Sequence, residues 1–138
     1  MNENEIGEVI LGAAIKVNSA LGPGLLESAY EACLFHEVSK QGLDVKRQVL
    51  LPVYYDGLNL DAGYRLDLVV ANCVIVELKA VEKLLPIHTA QLLSYLRLSE
   101  MRLGYLLNFN VLRMKDGIKR VVNGLKLSSA SSAVKAGD

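Results

Sequence analysis

Two runs of strand-forming residues near the middle of the chain, Arg65-Leu66-Asp67-Leu68-Val69-Val70 and Val74-Ile75-Val76-Glu77-Leu78-Lys79, are separated by Ala71-Asn72-Cys73 alone. So short a link makes them an antiparallel pair, and their own pattern selects the register. A two-residue turn at Ala71-Asn72 would set Val70 against Cys73 and Leu66 against Glu77, aliphatic against acid. A three-residue turn centred on Asn72, a residue type that tolerates left-handed backbone, pairs Val70 with Val74, Leu68 with Val76 and Leu66 with Leu78. One face is then uniformly apolar. The other carries Asp67 opposite Glu77, with Arg65 opposite Lys79 beside them and Val69 opposite Ile75 beyond.

Charges set among aliphatic residues in a strand lower its stability unless they are paired, solvated or bound to a metal. Two carboxylates facing each other at roughly 5 Å raise one another's pKa unless a cation sits between them. Hard oxygen ligands in this arrangement suit magnesium or manganese, held by Asp67, Glu77 and a backbone carbonyl, that of Leu78. Such an ion activates water and offsets charge developing on phosphorus. Lys79, one pleat beyond Glu77 on the same face, is placed to hold the attacking water or to stabilise the transition state. The plainer alternative is a set of cross-strand ion pairs from Asp67 and Glu77 to Arg65 and Lys79 on a solvated face. Spacing alone does not choose between the two.

The rest of the chain reads as helices and strands around this pair. Ile6, Val9, Ile10, Ala13, Ala14 and Val17 recur at helical spacing, which predicts an amphipathic helix from about Asn4 to Ala20. Leu21-Gly22-Pro23-Gly24 breaks it, and a second helix covers about Leu25 to Gln41, with Gly42 as its stop. From Val45 to Tyr55 the pattern turns to strand. Asp56-Gly57 is a hairpin signal leading into Leu58 to Ala62, with Gly63 a bend before Tyr64, so a meander of three antiparallel strands is expected. Pro86 opens a third helix, about Ile87 to Met101, which crosses over to a buried strand at Leu103 to Phe109, parallel to an earlier one. Ile118 to Val122 adds an edge strand or a short helix. Residues 1–125 are expected to form a single domain, and 126–138, with Ser-Ser-Ala-Ser-Ser near the start, a disordered tail.

Composition limits the functional classes. A length of 138 residues, 51% hydrophobic, provides one real core and no second domain. Cys33 and Cys73 supply neither a disulfide framework nor zinc-site spacing, so a reducing, cytoplasmic setting is expected. The acidic start Met1-Asn2-Glu3-Asn4-Glu5 is unlike a signal peptide, and the apolar run Val9 to Ile15 is too short to span a bilayer, so no membrane association is expected. Acids and bases are equal at 15 each, which counts against binding nucleic acid by bulk charge. Lys115, Lys119, Arg120 and Lys126 cluster late in the chain, either as a local basic surface or as an ordinary solvated face.

The arrangement of Asp67 followed by Glu77-Leu78-Lys79 resembles the PD-(D/E)XK nuclease superfamily, whose core is a helix, a three-stranded meander, a crossover helix and a further strand. Gly24-Leu25-Leu26-Glu27-Ser28-Ala29-Tyr30 looks like the signature of its GxxExxY branch, and motif order is similar from about Ile6 to Val122. The resemblance implies a restriction-endonuclease-like α/β fold with a mixed central sheet between helices. It implies hydrolysis of nucleic-acid phosphodiesters, DNA in the first instance, with Mg2+ or Mn2+, the substrate read through backbone and shape. Asp67 and Glu77 would be metal ligands, Lys79 the catalytic cation and Glu27 a supporting or additional ligand, although a first-turn acid is also what the helix dipole favours. Tyr30, three residues on, would line the cleft or pack. Gln91-Leu92-Leu93-Ser94-Tyr95 resembles a Gln-x-x-x-Tyr motif of the superfamily's exonuclease branch; Gln91 would steady the lysine or a phosphate and Tyr95 the site wall. The two lie on one helical face. His88, on the same face, is a phosphate contact or a first-turn surface residue. Position 66 is Leu where the superfamily pattern has Pro, and no segment dedicated to base readout is visible.

A rival reading keeps the nuclease fold without turnover, as a binding or scaffold module that forms a homodimer or joins a larger complex. Equal charge counts and a mean hydropathy of +0.28 favour it. A transcription factor finds no support, because no basic helix or half-site reader is present.

Overall fold

The computed structural model describes residues 1–60 and 63–125. Asp61, Ala62, Lys126 and the expected tail lie outside the described residues. Helix α1 (Glu3–Leu21) begins where the Asn2 side chain accepts from the Glu5 amide at 2.8 Å while the Glu5 carboxylate accepts from the Asn2 amide at 2.9 Å, a reciprocal cap. It buries Ile6, Ile10, Ala13, Ala14 and Val17 of the stripe expected from the sequence, leaves Val9 half-buried, and ends at Gly22. Helix α2 (Glu27–Lys40) packs beside it through Tyr30, Leu34 and Val38.

The main sheet has the order β1-β4-β5-β6-β7, with β1 (Val45–Leu50), β4 (Arg65–Val70), β5 (Val74–Lys79), β6 (Leu103–Asn108) and β7 (Ile118–Val122). Neighbours are antiparallel except β5 and β6, which run parallel because α3 (Pro86–Ser99) carries the chain across between them. Strands β2 (Val53–Tyr55) and β3 (Leu58–Leu60) form a separate two-stranded hairpin. The expected three-strand meander is therefore β1-β4-β5, not β1 with the hairpin. Pro52 explains the break, since it has no N–H to donate and ends the pairing of β1 just after Leu50. Asp56 and Gly57 both take positive φ at the hairpin tip, as that dipeptide suggests. Segment Ile118–Val122, open between strand and helix from the sequence, is the edge strand.

Helices α1 and α2 cover one face of the sheet and α3 the other, giving two apolar clusters. Leu68, Val70, Val74, Val76 and Leu78 face α1 and α2, with Leu103, Tyr105 and Leu107 beside them. Val69, Ile75 and Leu106 face Leu92, Tyr95 and Leu96 of α3. Strand alternation holds along β5 but changes phase in β1 and β4: Val45 packs toward α1 and α2 while Val49 packs toward α3, and Leu66 sits with Val49, not with Leu68. The phase change falls on Gln48, whose φ is 51°, and on Asp67 across from it. Leu66 thus leaves the uniformly apolar face that strict alternation assigned to it.

Candidate active site

The turn between β4 and β5 has three residues, and Val70 pairs with Val74 and Leu68 with Val76, as the pattern required. Ala71 and Asn72 both adopt left-handed backbone. Beyond Leu68 and Val76 the ladder stops, and the expected pairing of Leu66 with Leu78 and of Arg65 with Lys79 is not made. Side chains replace it. The Asp67 amide donates to Glu77 Oε2 at 2.7 Å, and the Leu78 amide donates to Asp67 Oδ2 at 2.9 Å. Each carboxylate therefore satisfies a backbone donor of the other strand where the strands part, a buried donor that would otherwise go unpaired.

These two bonds leave Asp67 Oδ1 and Glu77 Oε1 for other partners. Asp67 Oδ1 is approached by Gln48 Nε2 at 3.4 Å, and the same amide nitrogen donates to Glu31 Oε1 at 2.7 Å. Glu31 is buried on α2, one turn after Glu27, and its Oε2 accepts from Arg47 Nε at 3.2 Å and Nη2 at 3.1 Å. Sequence reasoning missed Glu31, Arg47 and Gln48. For Glu31 a signal existed, an acid four residues after Glu27 and next to the buried stripe of Tyr30, Leu34 and Val38. For Gln48 there was none, because glutamine does not advertise a positive φ.

Lys79 makes no ion pair among the described residues, and neither do Asp67, Glu77 and Arg65, so the cross-strand ion pairs of the plainer alternative are not formed. Arg65 instead donates to the Gln48 carbonyl at 3.4 Å. The backbone carbonyl of Lys79 accepts from the Phe109 amide at 3.0 Å. The next turn of chain is held by Asn108, whose buried side chain accepts from the Val81 amide at 3.1 Å and donates to the Val81 carbonyl at 2.9 Å. Gly117 packs so tightly on the Asn108 carbonyl that a Cβ there would overlap it.

On α3, Tyr95 is buried in the cluster beneath the site, its ring tilted against that of Tyr64 with centroids 6.2 Å apart. Burial, then the nearby charge of Glu77, raises its phenol above the usual range. Gln91 is exposed, and its side chain makes no hydrogen bond among the described residues. His88 caps its own helix, its Nδ1 accepting from the Leu85 amide at 3.0 Å. Glu27 is exposed in the first turn of α2, near enough for its charge to act on Asp67. Tyr30 packs: fully buried, it stacks on Phe109 with centroids 4.9 Å apart, donates to the Gly22 carbonyl at 2.6 Å and accepts from the Leu25 amide at 3.0 Å.

The electrostatics of the carboxylate pair are set first by burial. Desolvation, and after it the charge of Asp67, pushes the Glu77 carboxyl up to about 8, against the opposing pull of the Asp67 amide and Lys79. Desolvation also raises Asp67, with the Leu78 amide opposing. Two hard carboxylates, one half-buried and one buried, whose desolvation raises both pKa values, fit a divalent cation of the magnesium or manganese type. The donor set is a pair, for no group of three or more His, Cys, Asp or Glu is gathered for a metal among the described residues. No helix among those residues is long and apolar enough to cross a membrane.

No curated protein and no solved structure matches the chain. A family model described as PD-(D/E)XK nuclease superfamily matches residues 4–121, a span that takes in every strand of the sheet but the last residue of β7. Its nuclease core accords with the mixed five-stranded sheet between helices, and with an acid on β4 followed by Glu-x-Lys on β5. The chain belongs to the PD-(D/E)XK nuclease superfamily.

Proposed function

We propose that this protein is a magnesium- or manganese-dependent nuclease of the GxxExxY branch, hydrolysing phosphodiester bonds of nucleic acid, DNA before RNA. The observation that carries the reading is the pair of half-buried Asp67 and buried Glu77, held at the point where β4 and β5 part and joined to no ion pair among the described residues. Asp67, Glu77 and the Leu78 carbonyl would hold the ion, with Glu27 adding negative potential from α2. When bound, the ion supplies Lewis acidity toward the scissile phosphate and a more acidic water. Lys79 follows Glu77 by two residues on the same strand, its backbone anchored by Phe109 and its loop by Asn108. That anchorage lets its ammonium neutralise charge on the phosphate with little reorganisation. Tyr95 walls the site from below, and the Gln91 side chain, one turn away and unbonded among the described residues, is available to a phosphate oxygen.

Wild-type protein incubated with Mg2+ or Mn2+ and with single-stranded DNA, duplex DNA or RNA is expected to cleave at least one of them. Glu77→Ala and Lys79→Ala are each expected to reduce that cleavage at least ~100-fold with unchanged circular dichroism. Full activity in either folded variant would refute the assignment.

A second reading, a silent nuclease-fold module acting through protein partners as a homodimer or in a larger complex, is favoured by one observation. The β2–β3 hairpin exposes Tyr54, Tyr55, Leu58 and Leu60, an apolar patch of the kind interfaces cover. Calorimetric titration of Mn2+ separates the two, since the silent module predicts no binding in wild type and the nuclease predicts binding that Asp67→Asn removes.

A further inference from the structure

Gln48 combines three features that no local rule explains together. Its φ of 51° is one that a glutamine seldom adopts, in the middle of a strand. It marks the point where β1 exchanges the face it shows to α2 for the face it shows to α3. And its single amide nitrogen reaches two carboxylates on different elements, Glu31 Oε1 at 2.7 Å and Asp67 Oδ1 at 3.4 Å.

We propose that Gln48 is a positioning residue that fixes the rotamer of Asp67 by tying its carboxylate to the buried Glu31 of α2. The geometry distinguishes the side chain's role from the backbone's. If β1 needed only to change face, glycine would satisfy the left-handed conformation without a clash. What glycine lacks is the amide, whose two N–H bonds can serve two acceptors at once. Glu31 is a firm anchor because Arg47 grips its other oxygen through Nε and Nη2. Asp67 is then held from both sides, Oδ1 from Gln48 and Oδ2 from the Leu78 amide. Removing the first hold frees the carboxylate to turn about its side-chain torsions and so loosens the second. Positioning Asp67 in this way stands on the geometry alone; its consequence for an ion at Asp67 rests on the proposed metal-dependent function.

The test uses the full chain with Gln48→Gly and Gln48→Ala. Both delete the amide, but only alanine is strained at this φ. Amide hydrogen exchange followed by NMR without metal is expected to show the Leu78 N–H exchanging at least ~10-fold faster in both variants, with no acceleration at Ile75 and Leu106 in Gln48→Gly. Thermal unfolding is expected to place Gln48→Gly at or above wild type and Gln48→Ala below it. Calorimetric titration with Mn2+ should give ~10-fold weaker binding in both variants. Leu78 exchange in Gln48→Gly at the wild-type rate would overturn the proposal, because the residue would then serve only the backbone. Faster Leu78 exchange in a protein whose wild type ignores Mn2+ would remove the nuclease reading and sustain the positioning of Asp67.

Discussion

The Glu77 carboxyl should make the metal-free protein less stable as pH rises, the reverse of the usual behaviour of a native acid. In the unfolded chain it titrates near 4.5, and in the folded chain burial and then the Asp67 charge push it up to about 8. The native state therefore holds a proton over a range in which the unfolded state has released it. Stability from this group is complete below pH 4.5 and is lost as pH climbs through 8. At ~1.4 kcal/mol for each pH unit between the two values, the loss has an upper bound of roughly 5 kcal/mol by pH 9, a large share of a small domain's stability. Glu77→Gln keeps the shape and the oxygen that accepts from the Asp67 amide while removing the charge. Urea unfolding in EDTA from pH 5 to 9 should give nearly equal stabilities for wild type and variant at pH 5. At pH 9 the variant should be the more stable by several kcal/mol. A smaller slope remaining in the variant belongs to Asp67, which burial also raises. Excess Mg2+ at pH 8 should recover stability in wild type alone, ~2.7 kcal/mol at one hundred times its Kd. Parallel curves for the two proteins in EDTA would refute the reasoning, since they would mean that Glu77 ionises in the fold as freely as in water.

Three further outcomes follow from contacts elsewhere. Tyr30→Phe strands the Gly22 carbonyl and the Leu25 amide that the hydroxyl serves, and should cost ~1–3 kcal/mol in thermal unfolding; a loss under ~0.5 kcal/mol would show that water replaces it. Gly117→Ala forces a Cβ into the Asn108 carbonyl and should destabilise by ~1–3 kcal/mol, with faster exchange of the Val81 amide that Asn108 holds; unchanged stability would contradict the close packing. Asp67→Asn removes a negative charge from a site that also holds Glu27, Glu31 and Glu77, so its affinity for single-stranded DNA in EDTA, read by fluorescence anisotropy, should exceed that of wild type, and a lower affinity would refute this.

What the sequence revealed was what alternation and turn chemistry control. The three-residue turn, the pairing of Leu68 with Val76, the crossover through α3 and the parallel β6 all followed from patterns that burial enforces on both faces of the sheet. The hairpin was legible as a hairpin through Asp56-Gly57, but not as a separate sheet, because only Pro52 marks the break. The carboxylate pair was legible as two acids in apolar strands. Its bonding was not, since alternation assumes a ladder that continues past Leu68 and Val76, and here it ends. Leu66 was assigned to the wrong face for the same reason. Gln48 lay beyond sequence reasoning because its conformation is imposed by tertiary contacts to Glu31, Arg65 and Asp67 against its own preference.

The end of the ladder also bears on the balance of acids and bases. A continuous ladder between β4 and β5 would satisfy its own amides and leave Asp67 and Glu77 as surface charges, best neutralised by Arg65 and Lys79. Because the strands part, the carboxylates are drawn inward to serve the Asp67 and Leu78 amides, and the cations stay outside. Burial then separates the opposite charges that composition counts as cancelling. A chain with 15 acids and 15 bases can thus hold an acidic centre in which Glu77 keeps its proton, with Lys79 beside it, and the neutral total says nothing of the local field. Under the proposed function, a divalent ion would displace the proton that Glu77 holds and bring positive charge to a phosphate there, so binding of nucleic acid and binding of metal would be coupled at this site and not supplied by the surface at large.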